Sequence, residues 1–261
     1  MKRTLITPTL ETFPKEFRVL LENSKIYDSS CSPEARVYFI ENGEGYYLKC
    51  APAGTLEKEV KLTRYFASKR LATEVVEYLT CDKDWMLTKK VLGEDCTHDT
   101  YLSNPKKLCD TTASLLCELH ELECLGCPVE NHTENYVKTV IDNYNSGNYD
   151  KSAFPDSFGY KSAEEAFKVA ESNMKYLKND TLLHGDYCLP NIMLDNWNFS
   201  KFIDLGNGGV GDRHVDIFWG IWTLFFNLKT NEYASRFIDA YGRDKVEKDM
   251  LKVIAACEVF G

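Results

Sequence analysis

The 261-residue chain has no excess of basic charge. Its 31 Lys and Arg stand against 40 Asp and Glu, a net charge of −9. Nucleic acids are bound through their phosphates by basic surface, so this balance argues against them as partners. Long apolar runs are missing too. The longest uncharged stretch, residues 217–228, has 12 residues, against the roughly 20 that a membrane-spanning helix needs. Pro8, Glu11, Pro14 and Lys15 interrupt any apolar segment after Met1-Lys2-Arg3-Thr4, so no secretory leader is read. Ten cysteines are diluted along the chain and read as reduced thiols. Cys124-Leu-Gly-Cys127 lacks the second pair that a zinc site requires. The expectation is a soluble, cytoplasmic protein. No G-x-x-x-x-G-K-[ST] run occurs, which leaves a Walker phosphate loop unsupported. Internal repeats and low-complexity blocks are absent as well.

What is there divides in two. Residues 1–90 hold 15 basic and 13 acidic residues, net +2, and residues 91–261 hold 16 and 27, net −11. A cationic partner should prefer the second part. In the first, residues 36–40 and 46–50 read as strands around Asn42-Gly43-Glu44-Gly45, a hairpin. Thr55 reads as the N-cap of a helix running from Leu56 to about Leu71, with Leu56, Val60, Leu62, Phe66 and Ala67 in helical spacing. Two more strands are predicted at 75–80 and 85–89, with residues 81–84 turning between them. In the second part the periodicity predicts helices over 108–122, 136–144 and 163–177, with a loop at 145–160. Short strands at 181–184, 192–195 and 201–204 precede closing helices over 216–228, 233–241 and 245–258. The fold class is α+β: a small sheet lobe, 1–90, followed by a mainly helical lobe, 91–261.

The densest chemical signal is His184-Gly-Asp-Tyr-Cys-Leu-Pro-Asn191, followed by Ile203-Asp-Leu-Gly206. Asp186 and Asn191 are five residues apart and Asp204 lies 13 further on. Predicted strands flank the group, so a rigid sheet can aim these side chains from loop ends. A catalytic-loop Asp and Asn followed by a metal-binding Asp is the phosphoryl-transfer pattern. One carboxylate orients the attacking hydroxyl and accepts its proton. An amide oxygen and a second carboxylate suit Mg²⁺, a hard cation. His184 reads as a structural hydrogen-bonding residue that positions the loop. Lys49, ending the strand Tyr47-Leu-Lys49, can reach nucleotide phosphates if a carboxylate holds it. Glu57 and Glu59 follow on the helix, and Glu59 is preferred because Glu57 sits where it can serve the helix dipole. Ser29-Ser-Cys-Ser-Pro-Glu34 lies between the first strands, where hydroxyls and N–H groups can cap a phosphate. Tyr47 can stack on adenine or simply pack.

With these motifs quoted, the chain resembles the aminoglycoside phosphotransferases, most nearly the 3′-phosphotransferases that modify kanamycin and neomycin. The likeness continues through Gly209-Val-Gly-Asp-Arg213 and Asp216-Ile217. Ser32-Pro33, Leu119-His120 and the closing Glu258-Val-Phe260 fall in matching order. The resemblance implies a bilobal, protein-kinase-like fold, ATP or GTP as donor, Mg²⁺, a cationic aminoglycoside as acceptor, and a monomer or weak homodimer. It implies Asp186 as catalytic base, Asn191 and Asp204 as metal ligands, and Lys49 with Glu59 as the phosphate-holding pair. Ser32 is implied at the phosphates, Tyr47 at the adenine, and the backbone of Lys89 and Val91 as the hinge. Asp216 is implied as a structural carboxylate that braces the catalytic loop. Acceptor contacts fall to Asp186, Asp150, Asp156, Glu258 and Phe260. The chain departs from the family where an Arg is replaced by Asn207, another by Trp222, and acidic residues by Phe226, Asn227 and Cys257. Two alternatives stand beside this reading: a kinase of choline, a sugar or homoserine, and a nucleotide-binding module without turnover.

Overall fold

The computed structural model describes residues 3–149 and 159–261. Asp150 and Asp156 therefore lie outside the described residues. The chain divides into two compact units, Met1–Asp95 with Pro190–Gly206, and Cys96–Leu189 with Asn207–Gly261. The segment 190–206, late in the chain, thus groups with the N-terminal residues. Among the described residues no helix is long and apolar enough to cross a membrane.

The first unit is built on an antiparallel sheet of β1 (Thr4–Ile6), β2 (Lys25–Asp28), β3 (Arg36–Glu41), β4 (Tyr46–Pro52), β5 (Val75–Thr80) and β6 (Lys83–Lys89), ordered β1-β2-β3-β4-β6-β5. The β3–β4 hairpin turns through Gly45, at φ 95°, where a Cβ would stand 2.9 Å from the Phe39 ring. Alternation along β4 sorts its side chains onto two faces. Tyr46, Leu48 and Cys50 meet Phe17 and Leu21 of helix α1 (Lys15–Glu22), together with Phe13 and Trp85. Ala51, on the opposite face, packs on Leu56 and on Val60 of helix α2 (Glu57–Ser68). Lys49 shares that second face, so the strand period delivers its ammonium to α2.

Sequence reasoning left β1, β2 and α1 unassigned, and it misplaced the start of α2. Thr55 is not the cap, since its hydroxyl bonds to the Pro52 carbonyl at 2.7 Å. The Leu56 N–H, one of the orphan donors of the first turn, goes instead to Asp84 at 2.9 Å. Asp84 is fully buried and belongs to β6 rather than to a turn.

The late segment adds β9 (Ile192–Asp195) and β10 (Asn198–Phe202), a hairpin whose edge pairs with β7 (Glu94–Asp95). Asn196 and Trp197 turn it with φ 50° and 70°, the two positive values a tight hairpin requires. Gly93 is forced, because a Cβ there would lie 2.1 Å from the Leu194 carbonyl oxygen. The strand predicted at 201–204 runs instead from Asn198 to Phe202, because its pairing with β9 ends at Phe202 and Ile192.

The second unit is helical: α3 (Asp99–Leu102), α4 (Pro105–His120), α5 (His132–Ser146), α6 (Ala163–Asn173), α7 (His214–Leu228), α8 (Ala234–Tyr241) and α9 (Lys248–Cys257). One short antiparallel pair, β8 (Thr181–Leu183) with β11 (Gly209–Gly211), stands among them. Val140, Ala166, Ala170, Val253 and Phe260 form one core, in which Tyr144 stacks on Phe167 at 3.7 Å. The last helix is shorter than the predicted 245–258, since residues 243–245 form a separate 3-10 turn.

Candidate active site

The first unit gathers the lysine and the proposed metal ligands. Lys49 Nζ donates to Glu59 Oε2 and to Asp204 Oδ1, each at 2.8 Å. Glu59 is the partner, as the helix position suggested, whereas Glu57 pairs with Lys61 at 2.6 Å. Burial works against the Lys49 charge, but the two carboxylates outweigh it and hold the ammonium above its ordinary range. Asp204 sits at φ 58°, left-handed backbone that costs a non-glycine residue about 1–2 kcal/mol. One residue earlier, the Ile203 N–H bonds to the Asn191 carbonyl at 3.0 Å, so the chain leading to Asp204 is tied to Asn191. Asn191 is 8% exposed. An amide and a carboxylate are oxygen donors of the kind Mg²⁺ takes alongside phosphate and water. Among the described residues no group of three or more His, Cys, Asp or Glu makes a metal site by itself.

The other nucleotide-side residues are placed less uniformly. Tyr47 shares the Lys49 face of β4. Its ring tilts against Phe39 at 5.2 Å, and its hydroxyl accepts from Arg3 at 2.6 Å. Ser32 is exposed in the 29–34 loop, with its hydroxyl against Glu34. The loop is ordered by Ser30, whose hydroxyl accepts from the Val37 N–H. Lys89 has its backbone engaged in the sheet: its N–H donates to the Glu74 carbonyl at 3.3 Å, and its carbonyl accepts from the Thr73 hydroxyl at 2.8 Å. Val91 is buried, and none of its backbone groups bonds to the backbone of another described residue.

The second unit holds Asp186 on a loop fixed from several helices. Gly185 precedes it at φ 84°, and a Cβ there would lie 2.0 Å from the Asn207 carbonyl oxygen, so no other residue fits. Asp216 of α7, fully buried, accepts the His184 N–H at 2.7 Å and the Gly185 N–H at 2.8 Å. It also faces His120 Nε2 at 3.1 Å, while His120 Nδ1 faces the Tyr241 hydroxyl at 2.9 Å. An ionised carboxylate only accepts, so Nε2 carries the imidazole hydrogen. Burial opposes the Asp216 charge, yet these donors, His120 first, hold its carboxyl below the usual carboxylate range. Burial likewise keeps His120 neutral, below its ordinary value. His184 Nδ1 accepts the Asp186 N–H at 3.3 Å. Leu189, at the loop's end, donates its N–H to Thr223 of α7 at 3.1 Å, and the Tyr187 hydroxyl reaches the Thr112 carbonyl of α4 at 2.7 Å.

Acceptor-side expectations fare unevenly. Glu258 Oε1 accepts from the Tyr136 hydroxyl at 2.8 Å. Burial pushes this carboxyl up to about 7, against hydrogen bonds from Tyr136 and Trp219, and the charges of Asp186 and Asp216 raise it further. Phe260 cannot serve as a contact through its ring, which is fully buried against Tyr144, Tyr149 and Phe167. Cys257, at a position where an acid was expected, is also fully buried. Trp222 stacks on Phe226 at 5.0 Å, and Asn227 bonds to the Thr223 carbonyl. Sequence reasoning gave no role to His120, Tyr136, Trp219, Thr223 or Tyr241. Only the Leu119-His120 pair carried a signal, through its motif likeness, since each of the five acts through a partner 30 or more residues away in the chain.

Comparison with known proteins follows from this geometry. The profile described as "Phosphotransferase enzyme family" matches residues 33–251. The chain is 49% identical over 255 residues to a "Probable aminoglycoside 3'-phosphotransferase" of Lactococcus lactis, covering 97% of this chain and 96% of that one. Among solved structures it is similar to an aminoglycoside-3'-phosphotransferase of type VIII, with a TM-score of 0.79 at 21% identity over 96% of each chain. It is similar as well to an aminoglycoside phosphotransferase from Streptomyces rimosus in complex with ADP and streptomycin. That match has a TM-score of 0.69 at 20% identity, over 87% of this chain and 91% of that one. The α+β architecture, an antiparallel sheet followed by a helical part, is the protein-kinase-like fold of these enzymes.

Proposed function

Since this chain belongs to the phosphotransferase enzyme family, we propose that it moves the γ-phosphoryl group of ATP to a hydroxyl of an aminoglycoside, the 3′-hydroxyl in particular. The observation that carries the reading is the Asp186 loop. A buried, ionised Asp216 takes two consecutive loop N–H groups and so fixes the backbone on which Asp186 stands. Asp186 orients the acceptor hydroxyl for in-line attack and takes its proton. Lys49, held charged by Glu59, binds the donor phosphates, and Tyr47 and the backbone of Val91 receive the base. Asn191 and Asp204 are the residues that would hold Mg²⁺, which neutralises charge on the phosphates. Residues 1–90 then serve the nucleotide and residues 91–261 serve catalysis and the acceptor. All ten cysteines are free thiols, which agrees with a cytoplasmic location beside the nucleotide pool.

A kinase of another small hydroxyl compound is the second reading. It draws on Trp222, Phe226, Asn227 and Cys257, which leave these positions without charge. An ATP-consumption screen over kanamycin, neomycin, choline and simple sugars separates the two. Turnover on an aminoglycoside alone is expected, and turnover confined to choline or a sugar would refute the first reading. General-base help is worth roughly 10²–10⁴ in rate. Asp186→Ala should therefore lose at least about a hundredfold in kcat, and a variant within a few-fold of wild type would remove Asp186 from the role.

A further inference from the structure

Arg3 stands one position before β1, and the register of the sheet sets what it faces. Leu5 of β1 pairs with Tyr27 of β2, Tyr27 with Phe39 of β3, and Phe39 with Tyr47 of β4. A period of two puts Arg3 on the face that carries Leu5, at one end of an aromatic row that crosses three strands. Tyr27 and Phe39 tilt together at 5.9 Å, and Phe39 and Tyr47 at 5.2 Å. Arg3 lays its guanidinium 3.8 Å from the Phe39 centroid and donates from Nη2 to the Tyr47 hydroxyl at 2.6 Å. The first contact lies well inside the distance at which a ring quadrupole holds a cation. The second has a charged donor, which makes it stronger than a neutral hydrogen bond. One side chain makes both, so the stack on Phe39 orients Arg3 and the hydrogen bond then orients Tyr47.

Tyr47 is half-buried and lies two residues before Lys49 on the same face of β4. Its ring therefore stands beside the lysine that addresses the phosphates. A tyrosine on a partly open sheet face keeps rotamer freedom unless its far end is held. Phe39, buried, supports the ring from the neighbouring strand, and Arg3 fixes the hydroxyl from outside the sheet. We infer that Arg3 is a positioning residue for the nucleotide: it holds the Tyr47 ring in the orientation that receives the base of ATP. The inference rests on the reading of Tyr47 given above. It extends the nucleotide site to a residue that the motifs leave without a role, and it gives that guanidinium a task at the ring rather than at the phosphates. A ring ordered before binding spares the base the entropy cost of ordering it.

Titration calorimetry of the full chain with ATP and Mg²⁺, and steady-state kinetics with kanamycin, test this. In Arg3→Ala the ATP Kd and KM should rise about two- to tenfold, the range that ordering one side chain converts to, with kcat and the kanamycin KM within about twofold of wild type. Tyr47→Phe keeps the ring and loses the hydroxyl, so it should weaken ATP by a similar factor. The double variant Arg3→Ala/Tyr47→Phe should be no weaker than either single one, because both remove the same hydrogen bond. Arg3→Lys, which keeps a cation and a donor, should recover part of the ATP affinity. An unchanged ATP Kd in Arg3→Ala would overturn the inference. So would additive losses in the double variant, or a loss in kcat and in the kanamycin KM as large as the loss in ATP affinity. If Tyr47→Ala binds ATP as the wild type does, the reading of Tyr47 fails and takes this inference with it. If Tyr47→Ala weakens ATP and Arg3→Ala does not, the inference alone falls.

Discussion

Glu258 shows how one half-buried charge couples stability to pH. Its carboxyl is held among Tyr136, Trp219 and the acidic pair Asp186 and Asp216, and burial lifts it from the ordinary 4.5 to about 7. Between those values the folded chain binds a proton that the unfolded chain has released. Stability must then fall as pH rises through that window, and the penalty is complete above about 7. A shift of this size corresponds to roughly 3 kcal/mol. Glu258→Gln should therefore match wild type near pH 4.5 and exceed it by about 2–3 kcal/mol at pH 8 in urea unfolding. Parallel curves across that range would remove Glu258 as the source. Lys49 illustrates the reverse case: two carboxylates against one ammonium overcome burial and keep the charge in place.

At the scale of elements, the loop from His184 to Leu189 depends on a small number of backbone facts. Gly185 has φ 84° and no room for a Cβ beside Asn207. Gly185→Ala combines left-handed strain with a clash against backbone, so a loss of about 3 kcal/mol or more is expected, with near-complete loss of activity. A thermal melt within 2 °C of wild type would refute the fixed-loop account. The loop and its Asp–Asn spacing were legible because residue type and spacing are local properties. The neighbouring elements were less so. The strand predicted over 201–204 stops at Phe202, because Asp204 leaves the extended region altogether. Thr55 had the right chemistry for an N-cap, but Asp84, distant in sequence, took the donor. Helix α1 has its apolar pair Phe17 and Leu21 one turn apart, a pattern too short to stand out without the sheet beneath it.

Across the whole molecule, charge is the property that sequence alone quantifies best. The −11 carried by residues 91–261 should draw a polycationic acceptor, and salt screens exposed charge over about 10 Å at 0.1 M. The aminoglycoside KM should accordingly rise severalfold between 0.05 and 0.5 M salt, and a flat response would point to a neutral acceptor. Composition also carried the exclusions, since counting residues requires no fold. The sequence by itself determined the α+β class, the order of most elements, the spacing of Asp186, Asn191 and Asp204 on which the proposed phosphoryl transfer rests, and the choice of Glu59 over Glu57. Each of these follows from local spacing, which the chain keeps whatever its long-range contacts. Tertiary structure alone decided that the Phe260 ring and Cys257 are buried in the core. It also decided that His120 stands behind Asp216, and that Trp219, Trp222 and Phe226 form one column ending at Glu258. Burial and pairing between distant residues set those outcomes, and residue type at a position does not encode which distant group will arrive there.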